Sequence, residues 1–258
     1  MKAEVREAVV LAAGNGSRIA SLEDLPKPLL PVAGVALLKR VFAALPSSIE
    51  KAHVVIGYRG DQVRQALGAS HEGRALNWIH NPFFLLPNGL SLFCAAAKVK
   101  PPFLLLMCDH LFGPGLLDRF CQEACPPGGG LLAIDRKIDQ VFDLPDAVKV
   151  SLSDDKICSI GKQLGHYDAI DTGAFLLSEA VFEAFLDSAA ENDLSLAGAV
   201  RMLARKTGMR VWDIGPTRWA DIDTPEALAE AERLLMAGDL WNGGVGCKRC
   251  SDVTARTA

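Results

Sequence analysis

Residues 9–34 read VVLAAGNGSRIASLEDLPKPLLPVAG. An apolar run breaks into a loop that carries two glycines, an arginine and a lysine. Glycines let backbone N–H groups come close to phosphate oxygens, so the loop is suited to an anion. Two common phosphate loops do not fit it. The dinucleotide fingerprint needs a glycine where Ile19 stands, and the P-loop needs Gly-Lys-Ser/Thr at its end. Here Gly14 and Gly16 are followed by Arg18, and Lys27 comes nine positions later between Pro26 and Pro28. Arg18 offers a forked donor and Lys27 a point charge on stiff flanks. Together they can neutralise a polyphosphate and the charge that develops on a departing pyrophosphate.

Transfer of a phosphoryl or nucleotidyl group also needs a hard divalent cation on oxygen ligands. Asp109 ends the run FLLLMCD. An acid at the end of a buried strand is costly unless it is partnered or reaches an opening. Asp221 and Asp223 are two apart in WADIDTPEAL, so on a strand both point to one face. Asp223 has the competing reading of a helix-cap neighbour. In PNGLS, Gly89 permits close approach of a flat ring, while Asn88 and Ser91 can hydrogen-bond its edge or simply cap the next helix. Alternation along AVKVSLS puts Val148, Val150 and Leu152 on one side and leaves Lys149 on the other, free to face a ligand. His110, next to Asp109, reads as structural or solvent-facing and is not a candidate.

Certain elements must bring these residues together. EAVVLAA, AHVVIGY, LNWIH and PFLLLMCD are short apolar strands separated by the helical patterns ALLKRVFAAL, DQVRQAL and SLFCAAAKV. That order predicts βαβ units and a mostly parallel sheet covered on both faces. Beyond residue 128, GGGLLAIDRK, AVKVSLS, KICSIG and AIDTGAFLLS crowd together with turns between them, which predicts an antiparallel extension beside the main sheet. Helices are expected near 179–188 and 194–206, then late strands MRVWDIG and RWADID. The closing helix in TPEALAEAERLLMAG has Thr224 as N-cap, Pro225 at the first position and Gly238 as its stop. In such open sheets ligands gather at the carboxyl ends of the parallel strands. The first loop, PNGLS and Asp109 all fall there.

Composition sets limits on this reading. The chain has 258 residues, 50% hydrophobic and 22% charged, as in an ordinary globular protein. Its net charge of −4 supplies no overall basic field for nucleic acid or anionic lipid. No apolar stretch approaches the roughly 20 residues needed to span a bilayer. No leader is read at the start, where the apolar run flows straight into the loop. Cys94, Cys108 and Cys158 read as reduced core thiols and point to a cytoplasmic protein. Cys247 and Cys250 form one CxxC without a second pair nearby, too few ligands for a zinc site. Residues 1–240 are expected to form one domain and 241–258 a glycine-rich tail or linker.

The combination LAAGNGSR…PKPLLPVAG resembles the signature of nucleotidyltransferases that make activated sugars and alcohols from an NTP and a phosphomonoester. The resemblance implies a Rossmann-like mixed sheet of the nucleotide-diphospho-sugar transferase type. It assigns Leu11, Ala12, Ala13, Gly14, Gly16, Ser17, Arg18 and Lys27 to the nucleotide, with Asn88, Gly89 and Ser91 near base and ribose. It gives Asp109, Asp221 and Asp223 to Mg²⁺. The segment AIDRKIDQVFDLPDAVKVSLSDDKICSIGKQLGHYDAIDTGAFLLS is similar to the acceptor region of inositol-1-phosphate cytidylyltransferases. There it places Lys149, Asp171, Thr172 and Gly173 near the acceptor phosphate, with Lys162 as a second cation. The implied substrates are CTP and a polyol phosphate, and many such domains are fused to a membrane-embedded CDP-alcohol phosphotransferase. Phosphocholine, 2-aminoethylphosphonate and sugar 1-phosphates remain as acceptors, and a nucleotide-sensing module without chemistry remains as the other class. The region 131–178 carries only Phe142, Tyr167 and Phe175 as aromatics, which favours a polyol over a quaternary amine, although Phe83 and Phe84 could supply a partial cage from the other loop.

Overall fold

The computed structural model describes residues 4–19 and 24–241. The chain runs through β1 (Glu7–Ala12), β2 (Pro31–Val32), β3 (Val35–Ala36), α1 (Leu37–Ala43), β4 (Lys51–Ile56), α2 (Gly60–Leu67), β5 (Ser70–His71) and β6 (Arg74–His80). It continues with α3 (Gly89–Cys94), β7 (Phe103–Met107), β8 (His110–Phe112), α4 (Leu116–Cys121), β9 (Gly130–Asp135), β10 (Lys149–Ser153), β11 (Lys156–Gly161) and β12 (Ala169–Leu177). The last elements are α5 (Ala180–Ala190), α6 (Leu196–Lys206), β13 (Met209–Asp213), β14 (Trp219–Asp221) and α7 (Pro225–Ala237).

Ten strands form one sheet in the order β10-β11-β13-β9-β12-β7-β1-β4-β6-β5. The middle of it is parallel: β1 pairs with β4 and β7, and β4 with β6. β12 lies antiparallel to both β7 and β9, so the region after residue 128 continues the same sheet instead of forming a separate layer. Side-chain alternation divides the core in two. Ala8, Val10, Ala12, Leu104 and Leu106 face one side, where α1, α2, α4 and α7 pack. Val9, Leu11, Phe103 and Leu105 face the other, against α3, α5 and α6. Burial on both faces explains why these strands read as continuous apolar runs.

α7 starts and stops as expected. Thr224 accepts a hydrogen bond from the Ala227 amide, Pro225 sits in the first turn, and Gly238 takes φ +82° at the C-terminus. α3 is shorter than its sequence pattern and ends at Cys94, continuing as hydrogen-bonded turns to Val99. Trp241 belongs to the folded part, not to a tail. Its amide donates to Phe112 O, and its indole Nε1 donates to Ala43 O at 3.0 Å. The rest of the expected tail, with Cys247 and Cys250, lies outside the described residues. Cys108 is buried, Cys94 half-buried, and Cys158 exposed. The last departs from the expectation of a core thiol because β11 lies near the sheet edge and turns only Ile157 and Ile160 inward. Among the described residues no helix is long and apolar enough to cross a membrane.

Candidate functional site

The first loop leaves the carboxyl end of β1. Its start is held by neighbours on both sides: Cys108 N donates to Leu11 O and Tyr58 N to Ala13 O, both at 3.0 Å. Gly16 takes φ +59°, and a Cβ there would lie 2.7 Å from Lys27 Cβ, so only glycine lets the loop fold over the lysine stem. Lys27 opens a single 3-10 turn, Lys27–Leu29, between its two prolines. Its side chain is 6% exposed, and the ammonium donates to Asp109 Oδ2 and Asp223 Oδ1 at 2.5 Å each. Burial works to lower the lysine pKa, but the two carboxylates outweigh it and hold the ammonium well above its ordinary value. Burial likewise works to raise Asp109, and Lys27 with His110 outweighs it and keeps the carboxylate ionised.

A two-stranded ladder delivers the late acids. β14 pairs antiparallel with β8, with Asp221 opposite His110, and Ile222 N donates to Asp109 O at 3.0 Å. Ile222 is buried, so Asp221 and Asp223 lie together on the opposite side, as alternation predicts. His110 Nδ1 lies 2.9 Å from Asp109 Oδ1, and its Nε2 is 3.9 Å from Asp221 Oδ2. The imidazole stacks parallel to the Trp219 indole at 5.6 Å. Gly173, at φ +78°, admits the ring: a Cβ there would lie 2.9 Å from His110 Cδ2. Burial works to lower the imidazole, but Asp221, Asp109 and Asp171 outweigh it and raise it to about 9.

Arg18 donates to Asp146 Oδ2 at 2.7 Å and, through its other terminal nitrogen, to Asp223. Asp146 also accepts from Lys162 Nζ at 2.7 Å. One acid thus ties the first loop to the end of β11.

Two cavities meet at this cluster. One, about 250 Å³, is lined by Leu11, Ala13, Gly14, Gly16, Ser17 and Arg18, with Lys27 and Ser91. The other, about 490 Å³, is lined by His110, Asp143, Asp146, Lys162, Asp171 and Trp219, with Gly173 and Asp221. Asn88, Met107, Asp109 and Asp223 border both. A phosphate in the first and a nucleophile in the second would face each other across the two acids.

The oxygen donors fit a hard cation. Asp109 and Asp223 converge on one point, and Asp221 Oδ1 is buried without a hydrogen-bond partner among the described residues. Asp109, His110 and Asp221 also bring one ligand atom each within 4.8 Å of one another.

Several sequence-predicted residues occupy other positions. Ala12 turns into the core instead of the loop cavity. Gly89 borders neither cavity: a Cβ there would lie 2.5 Å from Leu194 O, so the glycine serves helix packing. Asn88 Oδ1 accepts from Leu196 N at 3.0 Å, anchoring α6 and not capping its own helix. Ser91 Oγ accepts from Asn81 Nδ2 at 2.9 Å. Thr172 is fully buried, with its hydroxyl on Ala133 O. Asp171 borders the larger cavity, accepts from Gly173 N at 2.7 Å, and is pushed by burial up to about 6. Lys149 is buried, donates to Pro145 O at 2.9 Å and is not among the residues bordering either cavity. Alternation identified its face of the strand, but that face is covered by the preceding turn. Lys162 does line the larger cavity. His110, Asp146 and Trp219 join the site without having been candidates. Only His110 had a local sign, its place beside Asp109.

The chain is 34% identical over 242 residues to "Bifunctional IPC transferase and DIPP synthase" of Thermococcus kodakarensis, covering 93% of this chain and 52% of that protein. It is 30% identical to "CMP-5'-(3-aminopropyl)phosphonate synthase" of Streptomyces rubellomurinus, covering 92% of this chain and 42% of the relative. The chain therefore spans about half the length of the curated relatives it matches. Among solved structures, the inositol-1-phosphate CTP transferase from T. maritima superposes with a TM-score of 0.80 at 28% identity, covering 96% of this chain and 100% of that one. The architecture is the nucleotide-diphospho-sugar transferase fold. A family model described as a MobA-like NTP transferase domain matches residues 8–167, and the chain belongs to that nucleotidyltransferase family.

Proposed function

We propose that this chain transfers CMP from CTP to inositol 1-phosphate, giving CDP-inositol and pyrophosphate. The observation that carries the reading is the pair of cavities with Asp109 and Asp223 in their shared wall. The nucleotide occupies the loop-lined cavity and the acceptor the larger one. An oxygen of the acceptor phosphate attacks the α-phosphorus in line, and the bond to the β-phosphate oxygen breaks. The acceptor is already an anion, so no protein nucleophile is needed; positioning and charge stabilisation supply the catalysis. Arg18 and Lys27 hold the departing pyrophosphate. Asp109, Asp221 and Asp223 hold Mg²⁺, which when bound neutralises charge on the α-phosphate.

The names of the relatives support inositol 1-phosphate as acceptor, and so does the lining of the larger cavity. Gln140, Asp143 and Asp171 suit hydroxyl groups. Its aromatics are Phe142, Phe175 and Trp219, and the Trp219 face is stacked on His110, which leaves little for a quaternary ammonium cage. The Streptomyces relative favours a phosphonate as the second reading.

The test is pyrophosphate release and product mass with CTP, UTP, GTP or ATP. The acceptors are inositol 1-phosphate, phosphocholine, 2-aminoethylphosphonate and glucose 1-phosphate at equal concentration. CTP with inositol 1-phosphate is expected to dominate, and a chelator to stop it. Preferred turnover of another acceptor would overturn the acceptor assignment alone. No pyrophosphate from any pair would leave the nucleotide-sensing module.

A further inference from the structure

The Lys27 ammonium sits where two carboxylates of the cation set converge, 2.5 Å from each. A divalent ion held by Asp109 and Asp223 and this ammonium cannot share that point, since both are cations bound by the same oxygens. The lysine stem is not free to withdraw as a whole. It opens a turn between two prolines, and Gly16 lies so close that a Cβ would meet three of its carbons within 3.3 Å. The terminal bonds can still swing, and Lys27 also borders the loop-lined cavity beside Gly14, Ser17 and Arg18.

We infer that Lys27 is a resident counter-ion: without nucleotide its ammonium fills the cation position between Asp109 and Asp223, and a divalent ion enters as Lys27 turns toward the polyphosphate. This rests on the reading of those acids as cation ligands given above. The exchange has an electrostatic reason. With neither ammonium nor metal, Asp109 and Asp223 would lose the cation they share, leaving Asp223 with Arg18 and Asp109 with His110. With both, the two cations would repel. The phosphates of the nucleotide give Lys27 a new partner at the moment the metal arrives, so metal and nucleotide bind together and metal alone binds poorly.

The test uses Mn²⁺ as probe on the full chain without nucleotide, read by calorimetry or electron paramagnetic resonance. Lys27→Met keeps the stem and removes the charge. It is expected to bind Mn²⁺ at least ten-fold tighter than wild type, and equal or weaker binding overturns the inference. Wild type supplies a second measurement that needs no variant. Reductive methylation read by peptide mass spectrometry should label Lys27 several-fold more at saturating Mn²⁺, relative to the exposed Lys39. Unchanged Lys27 labelling with Mn²⁺ bound would also overturn it. Pyrophosphate release by wild type is measured separately. Normal turnover with equal Mn²⁺ affinities refutes only the counter-ion role, whereas absent turnover refutes the underlying reading.

Discussion

Asp223 is the residue on which both loop cations depend, since it accepts from Lys27 and from Arg18. Asp223→Asn removes that charge and is expected to lower turnover by at least ~10²-fold, the loss seen when one preorganised electrostatic group goes. Near-normal pyrophosphate release would refute its placement in the reaction. Arg18→Lys should also be damaging, because a fork that spans Asp146 and Asp223 becomes a point charge. The two lysines of the acceptor side are expected to separate. Lys162→Ala should raise KM for the acceptor well above its effect on CTP. Lys149→Met should act on stability instead, because its ammonium meets a backbone carbonyl and not the cavity. A Lys149 variant with normal thermal stability and a raised acceptor KM would reverse that division.

At the scale of elements, a short ladder decides the geometry. β8 and β14 have three residues each, yet their register sets Asp221 opposite His110 and fastens Ile222 to Asp109. The next residue but one, Thr224, caps α7. Thr224→Ala is expected to cost about 1 kcal/mol by urea unfolding. Because Asp223 is its neighbour, turnover should fall more than that stability loss alone would produce. Wild-type kinetics at lowered stability would show that the cap does not position Asp223. Gly89→Ala tests the start of α3. The added methyl meets the backbone of Leu194 and Ser195, an overpacking expected to cost about 1–3 kcal/mol. A variant with unchanged melting temperature and weakened CTP binding would return Gly89 to the base-contact role.

At the scale of the molecule, a second buried polar network stands apart from the cluster of Lys27, Asp109 and Asp223. Glu7 on β1, His53 on β4 and Asn77 on β6 join three neighbouring strands: His53 Nε2 is 2.9 Å from Glu7 Oε2, and Asn77 Nδ2 donates to His53 Nδ1 at 2.8 Å. Burial lowers the imidazole below its ordinary value, despite Glu7. Burial works to raise the Glu7 carboxyl, but the Lys100 amide and His53 outweigh it and leave it lowered. Both shifts have the same sign. The unfolded chain binds more protons, so the contribution is complete above the ordinary histidine pKa of about 6.5 and declines as pH falls below it. This network's own contribution should therefore shrink between pH 7.5 and 5, against the opposite change from His110 and Asp171, whose raised pKa values let the folded state bind protons in that range. His53→Asn should cost about 1–3 kcal/mol at pH 7.5 through unsatisfied partners. Its deficit relative to wild type should narrow at pH 5. A constant deficit across that range would mean that His53 does not titrate differently on folding.

Local chemistry made much of this protein legible from its residues alone. Apolar runs buried on both faces marked β1, β4 and β7 as parallel strands. Thr224, Pro225 and Gly238 bounded α7, and Gly14, Gly16, Arg18 and Lys27 marked a loop that lines a cavity with Asp109 and Asp223. Each of these is a property of neighbours along the chain. Tertiary structure decided what depended on contact between distant residues. Arg18 meets Asp146 across 128 positions and Lys27 meets Asp223 across 196. Alternation could say that Lys149 opposes Val150, but not that a turn would cover it. Composition could say that Gly89 permits close approach, but not that the approaching group is Leu194 O. His110 is ambiguous in sequence because its surroundings are Asp109, Asp171 and Asp221, three acids that only the folded sheet gathers around one ring.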